Sequence, residues 1–418
     1  MKKSIKTAII ICTAAICLVA AITSILLGIK HHQKKVYYNN SINLGFYNIS
    51  EAQKEAFTQI LMDICDQKSF PVNFYSLDPN QDFDSQIKDK KLNLILAPAG
   101  YAVNKIVSST PEDVQIPAAV TTGFFSTMRQ TVIENNGKLK AVPLIFDNME
   151  IDFETSAFKM SRLEQIASWE ELEKFAELQK RDMDYPVCFA GAEPAFLIDL
   201  LGALGEALEG YEAYKKAAQI LEEAVQAKKT DIPFDAAATA NKIFMDPDAP
   251  LPYSMYYLKQ LIKKGYVLPS SKELVHKDIN SYIKQRITRT FFTTLSVHRT
   301  YETKDVSRFT SVFIPSSSKS TQRHFTAPAT YAVPLTVNKN VGEVIEQLVS
   351  ESVQEKLSQL TGLAPVHSKC RTPDRQADDA RYWIAATNPP VAGLSREAEL
   401  TDADLANLAK EIKALLFY

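Results

Sequence analysis

The side chains best suited to acid–base work or metal ligation near neutral pH are histidines, and the six in this chain are badly spaced for a local site. His31 and His32 are adjacent and follow a long apolar run, whereas His276, His298, His324 and His367 are scattered. No HExxH pair sets two imidazoles on one helix face. No Walker-type loop cradles a phosphate, and no GxSxG elbow presents a serine. A Ser–His–Asp set assembles in space rather than in sequence, and nothing local supports one. The adjacent carboxylates Asp378 and Asp379 read as solvated surface. Of the five cysteines, Cys65, Cys188 and Cys370 lie beyond the N-terminal apolar run. Their odd number and wide spacing give neither a disulfide framework nor a zinc knuckle, so buried free thiols are expected. The sequence thus offers no catalytic residue, no metal ligands and no cofactor site.

The elements that could carry a site follow a clear order. "INLGFYNI" (42–49) reads as a strand, and the next run as a helix capped by Ser50 with Phe57, Ile60, Leu61 and Ile64 inward. "FPVNFYSL" and "LNLILAPAG" read as further strands with a short helix between them. This βαβαβ opening points to a parallel sheet covered by helices. It lacks the glycine repeat of a dinucleotide-binding turn. Strand-like patterning returns over 137–158. Ser168 and Glu171 then form a capping box, and residues 150–290 read as helix-rich. "YPVCFAG" is a strand candidate in that region, and a further helix ends at Gly265. Strands reappear over 289–315, followed by a helix from Val341 to Leu360 and a final amphipathic helix capped by Thr401. Gly362 and Pro365 end the penultimate run, the first through a left-handed turn and the second by blocking its resumption. The architecture expected is α/β, with two lobes and a chain that crosses between them more than once.

The N-terminus differs from the rest. Residues 8–29 are 22 uncharged residues flanked by lysines. As a helix they would extend about 33 Å, enough to cross a bilayer. A retained single-pass anchor is expected in preference to a cleaved signal peptide or a lipid anchor. Cys12 and Cys17 both follow isoleucine, where lipid attachment favours a small residue. Beyond residue 35 the chain carries 41 basic and 49 acidic groups. That balance gives no electrostatic case for nucleic acid.

Several segments resemble the extracellular solute-binding proteins of ABC importers, particularly the large sugar-binding type. "INLGFYNISEAQKEAFTQILMDI" is similar to that family's first strand and helix. "GKLKAVPLIFDN" matches its Gly-Lys turn and proline-bearing strand, through Pro143. Ser168 to Leu172 resemble its Trp-bearing helix start. "LKQLIKKGYVLP" is similar to its helix-and-turn segment, and the stretch through Gly362 and Pro365 to its strand–helix–Gly-x-x-Pro. "IKQRITRTFFTTLS" departs from the family pattern. The resemblance implies a two-lobed periplasmic-binding-protein-like fold of type II, here preceded by one transmembrane helix. The implied division is an anchor and basic flank over 1–35, one lobe from 36–149 and about 290–340, and the other from 150–289 and about 341–418. It also implies a periplasmic location at the cytoplasmic membrane.

Family sites lie in the cleft, at strand ends and helix starts. The positions that fit are Tyr47, Asn48, Gly100, Tyr101, Asp147, Asn148, Tyr331 and Trp383. Aromatic faces there can stack on a sugar's C–H surface, and amides and carboxylates can take its hydroxyls. The implied function is capture of a small solute, carbohydrate favoured, for delivery to ABC permease subunits. A binding scaffold without a transport role and an anchored hydrolase remain as alternatives.

Overall fold

The computed structural model describes residues 41–418 apart from 80, 164–165, 318–321 and 373. Its first half-sheet follows the expected order: β1 (Ile42–Tyr47), α1 (Glu51–Lys68), β2 (Val72–Leu77), α2 (Phe83–Lys90), β3 (Leu94–Pro98) and α3 (Tyr101–Ser108). β1 pairs parallel with both β2 and β3. Every residue of β1 is buried, as expected for a strand covered on both faces. Ser50 caps α1 by accepting from the Gln53 amide. After β4 (Ile133–Asn135) and β5 (Lys138–Phe146) the chain leaves this sheet.

The second sheet begins with β6 (Met149–Glu154). α4 (Trp169–Gln179) follows and opens with the full capping box between Ser168 and Glu171. β7 (Val187–Cys188) is shorter than "YPVCFAG" suggested. Two helices follow, α5 (Pro194–Glu209) and α6 (Tyr211–Lys228), separated at Gly210. Then come α7 (Ala236–Phe244), α8 (Pro252–Lys263), α9 (His276–Gln285), β8 (Thr290–Thr294) and β9 (Phe309–Phe313). The order β7–β8–β6–β9 makes a four-stranded sheet.

The chain returns to the first sheet through β10 (Ala329–Pro334), α10 (Lys339–Leu348), α11 (Glu351–Thr361), β11 (Ala364–Pro365) and α12 (Arg375–Ala385). β10 lies antiparallel between β3 and β5, completing the order β11–β5–β10–β3–β1–β2 with β4 on β5. The expected single helix over 341–360 is broken at Val349–Ser350. There the buried Gln354 side chain donates to Leu348 O and accepts from the Val366 amide. α11 ends at Gly362 with φ 66°, in the left-handed turn expected. α13 (Asp402–Phe417) closes the chain on the second lobe, capped by Thr401.

Two separate apolar cores result. They divide the chain differently from the lobes expected. Phe291, Phe292 and Phe309 of β8 and β9 lie in the second core, because both strands flank β6. Val341, Val344, Ile345 and Leu357 of α10 and α11 pack in the first. Helical periodicity marks which residues face inward but not which sheet they meet.

Three strands of chain join the lobes side by side: 146–149, 326–329 and 389–392. Asp147 N donates to Pro328 O, Met149 N to Thr326 O, and Ala327 N to Val391 O. The expectation of a transmembrane helix and of a membrane-anchored location is corrected here. No helix among the described residues is long and apolar enough to cross a membrane. The 8–29 segment that suggested it lies outside those residues.

Candidate functional site

β3 ends where the chain must turn into α3, and the turn is Gly100, at φ 93°. A Cβ there would stand 2.3 Å from the carbonyl oxygen of Arg396 on the second lobe. Only glycine lets the lobes approach this closely. The next residue, Tyr101, donates from its hydroxyl to Glu399 Oε2 at 2.7 Å. Lys105, one turn on, reaches Glu399 Oε1 at 2.8 Å, and Lys229 of the second lobe reaches Oε2 at 3.0 Å. Burial alone would raise the Glu399 carboxyl. The bonds from Lys105, Tyr101 and Lys229 outweigh it and hold the group down at about 2. Burial, then the bond to Glu399, pushes the Tyr101 phenol up.

Beside this contact lies a cavity of about 490 Å³ with walls from both lobes. α3 contributes Tyr101, Asn104 and Lys105, and α6 contributes Tyr211, Tyr214 and Glu222. Gly210 breaks α5 from α6 and starts the helix that presents these tyrosines. Tyr211 stacks on His324 at 3.9 Å between centroids, and the Lys215 ammonium lies 5.4 Å from its ring centre. Tyr214 is buried; its hydroxyl donates to Glu397 Oε1 at 3.0 Å and accepts from the Gly393 amide at 3.1 Å. The segment bearing Arg396 and Glu399 is anchored on Asp199 of α5. That carboxylate accepts from the Ser395 amide and hydroxyl and from Arg396 Nη1, at 2.8, 2.9 and 2.8 Å. Behind the cavity the buried Glu206 is paired with Arg323 at 3.0 Å.

The residues expected from the sequence divide among several places. Tyr101 lines the cavity. Tyr47 stands behind it, buried against Phe83 with ring centroids 5.3 Å apart. Burial raises its phenol, with Lys105 lowering and Glu399 raising it in turn. Asn48 is exposed in a left-handed turn with φ 52°. Asp147 and Asn148 sit in the crossover between lobes. Asp147 accepts from the Ser296 amide at 2.9 Å and from its hydroxyl at 2.5 Å. Asn148 is fully buried, with its Nδ2 donating to Met149 O. Tyr331 lies in the first core and donates to Thr131 O at 2.8 Å. Burial pushes its phenol up to about 12 despite that bond. Trp383, on α12, meets Phe313 of β9 edge-on at 5.8 Å, on another part of the interlobe surface. The fold therefore gathers Gly100, Tyr101 and Tyr47 with Lys105, and leaves the other five positions elsewhere.

The two-lobed α/β fold is one that solved structures share. The chain matches the bacterial solute receptor AcbH with TM-score 0.66 and 14% identity, over 91% of this chain and 100% of that one. This is the fold of the solute-binding proteins. The putative binding protein MsmE of Bacillus subtilis, in an open conformation, matches with TM-score 0.64 and 12% identity, over 90% and 93% of the two chains. RafE in complex with raffinose matches with TM-score 0.60 and 13% identity, over 90% and 99%. No protein-family model and no curated relative matches the chain. In this solute-binding fold, the residues that sequence reasoning missed are Lys105, Tyr211, Tyr214 and Glu399. The pair Tyr211 and Tyr214, on one face of α6 at i and i+3, was the available signal. The three described cysteines are buried and free, as expected.

Proposed function

We propose that the chain captures a small carbohydrate between its two lobes and delivers it to the permease of an ABC import system. The observation that carries this reading is the interlobe cavity, with Tyr101 on one lobe and Tyr211 and Tyr214 on the other. Its volume of about 490 Å³ suits a small molecule. The partly exposed rings of Tyr101 and Tyr211 offer apolar faces to a sugar's C–H surface, with the buried Tyr214 behind them. Asn104, Lys105, Gln219 and Glu222 offer donors and acceptors to its hydroxyls. The preference of AcbH for β-D-galactopyranose and the raffinose held by RafE support a saccharide over other solutes.

The mechanism is capture rather than turnover. A ligand that touches both lobes binds the closed form better than the open one, and so shifts the balance between them. The three side-by-side crossovers supply the hinge. The closed form would be the one that docks on the permease.

The test is a thermal-shift screen of mono- and oligosaccharides, with polyamines and inorganic anions as comparators. A saccharide at a hundredfold excess over its Kd should stabilise the fold by about 2.7 kcal/mol. Product formation from a stabilising sugar would replace capture with hydrolysis. A second reading is a scaffold without a small-molecule ligand. It is favoured by the direct contacts of Gly100 with Arg396 and Tyr101 with Glu399, which bring the lobes together unaided. Absence of any stabilising saccharide would select that reading.

A further inference from the structure

β6 alternates apolar and acidic residues. Met149, Ile151 and Phe153 enter the second core, so Glu150 and Asp152 point to the opposite face. In most half-buried sheets that face is wet. Here α12 of the other lobe and the helical turn Leu295–His298 cover it, and both carboxylates are wholly shielded from solvent. His298, itself 2% exposed, completes the group, with one ligand atom from each residue within 4.8 Å of the others. Glu150 Oε2 is buried without a hydrogen-bond partner. A second carboxylate, a third at Asp147 and one imidazole leave this pocket short of positive charge. Arg299, the guanidinium whose charge acts on Glu150, is already paired with Asp374.

We infer that Glu150, Asp152 and His298 bind a divalent transition-metal ion of the zinc type. Imidazole with two carboxylates is a donor set such ions take. Tetrahedral bonds of about 2.1 Å set neighbouring ligand atoms about 3.4 Å apart. His298 Nδ1 lies 3.6 Å from Glu150 Oε1, already near that spacing. It lies 2.7 Å from Asp152 Oδ2, a hydrogen bond that a small widening would exchange for two metal bonds. Ser311 and Gln376 surround the group. The Ser311 hydroxyl donates to Asp152 and, at 3.4 Å, to Glu150 Oε1, and the Gln376 amide reaches Ser311. Such partners orient ligating carboxylates. Gln376 belongs to α12 of the first lobe, so the ion would also tie the lobes together across this face. The site is independent of the saccharide cavity.

The experiment treats the full chain with chelator and titrates it with Co2+ and then Zn2+, following Co2+ absorption, metal content after dialysis and melting temperature. The expected result is one equivalent of ion lost on E150Q or H298N, with affinity at least tenfold weaker. Zn2+ should raise the melting temperature of the parent but not of E150Q. Metal that remains at parental affinity in both variants would belong elsewhere, for example to His31 and His32, and would overturn the assignment. So would a parent that binds no metal. If H298N does not fold, E150Q decides the matter alone, because it keeps the shape of the side chain and removes only its charge.

Discussion

Replacing Gly100 with alanine should open the lobes, and the geometry separates that effect from ordinary backbone strain. Gly100 has φ 93°, and an added Cβ would lie 2.3 Å from Arg396 O. A carbon–oxygen contact needs about 3.3 Å. The lobes must therefore part by about 1 Å at the start of α3, enough to weaken the bonds from Tyr101 and Lys105 to Glu399. The strain of holding alanine at this φ adds about 1–3 kcal/mol. Gly210 supplies the control, with φ 90° and nothing within 4 Å of its notional Cβ. G210A carries similar strain but no interlobe collision. Both variants should therefore unfold more easily. Only G100A should expand in small-angle X-ray scattering and lose affinity for any saccharide found in the screen. Scattering of G100A identical to the parent, with a stability loss equal to that of G210A, would refute the claim that Gly100 is needed for lobe approach.

Glu399 makes closure depend on pH. Its folded value of about 2 lies below the ordinary 4.5, so the contact contributes fully above 4.5 and is lost as pH falls toward 2. The full shift would correspond to about 3 kcal/mol. With a third of the side chain exposed, screening reduces this to about 1 kcal/mol. E399Q should flatten the acid limb of closure measured by interlobe energy transfer, and an unchanged limb would remove Glu399 from the latch. Lys140 is buried in β5 and donates to the carbonyls of Pro111, Glu112 and Val114 at 2.8, 3.1 and 2.6 Å. K140M leaves those acceptors bare and should cost about 3 kcal/mol in denaturant unfolding; a loss near zero would mean that water replaces the ammonium. Y101A should weaken a saccharide hit about tenfold while Y101F weakens it only a few-fold, as titration calorimetry would register. Equal losses would assign the effect to the hydroxyl rather than the ring.

Local chemistry was legible in the sequence where a few neighbouring residues decide the outcome. The Ser50, Ser168 and Thr401 caps and the Gly362 stop each depend on side chains or φ values within one turn, and each stands where the pattern put it. The βαβαβ opening was legible for the same reason, since consecutive parallel strands need only a short crossover. Lobe membership was not. β8 and β9 join β6 across more than a hundred residues, and their apolar runs would suit either sheet. The candidate site suffered likewise. Strand ends and helix starts marked Tyr101 correctly, because Gly100 must turn there. Its partner Glu399 lies 298 residues away and carries no local signature.

The same limit explains why β6 misleads. "MEIDFE" has the alternation of a strand with one wet face, a pattern that would put Glu150 and Asp152 in solvent. Burial of that face depends on α12, which arrives more than two hundred residues later, and on His298, 146 residues from Asp152. Buried charge is costly unless paired, so this arrangement must be neutralised by protons, by the imidazole or by a cation. Protons and imidazole can balance the charge, but they do not account for the bare Glu150 Oε2. A cation balances the charge, and one bound by both oxygens of the Glu150 carboxylate also serves Oε2. The physical demand for a partner at that oxygen, rather than any sequence motif, makes the cluster a site.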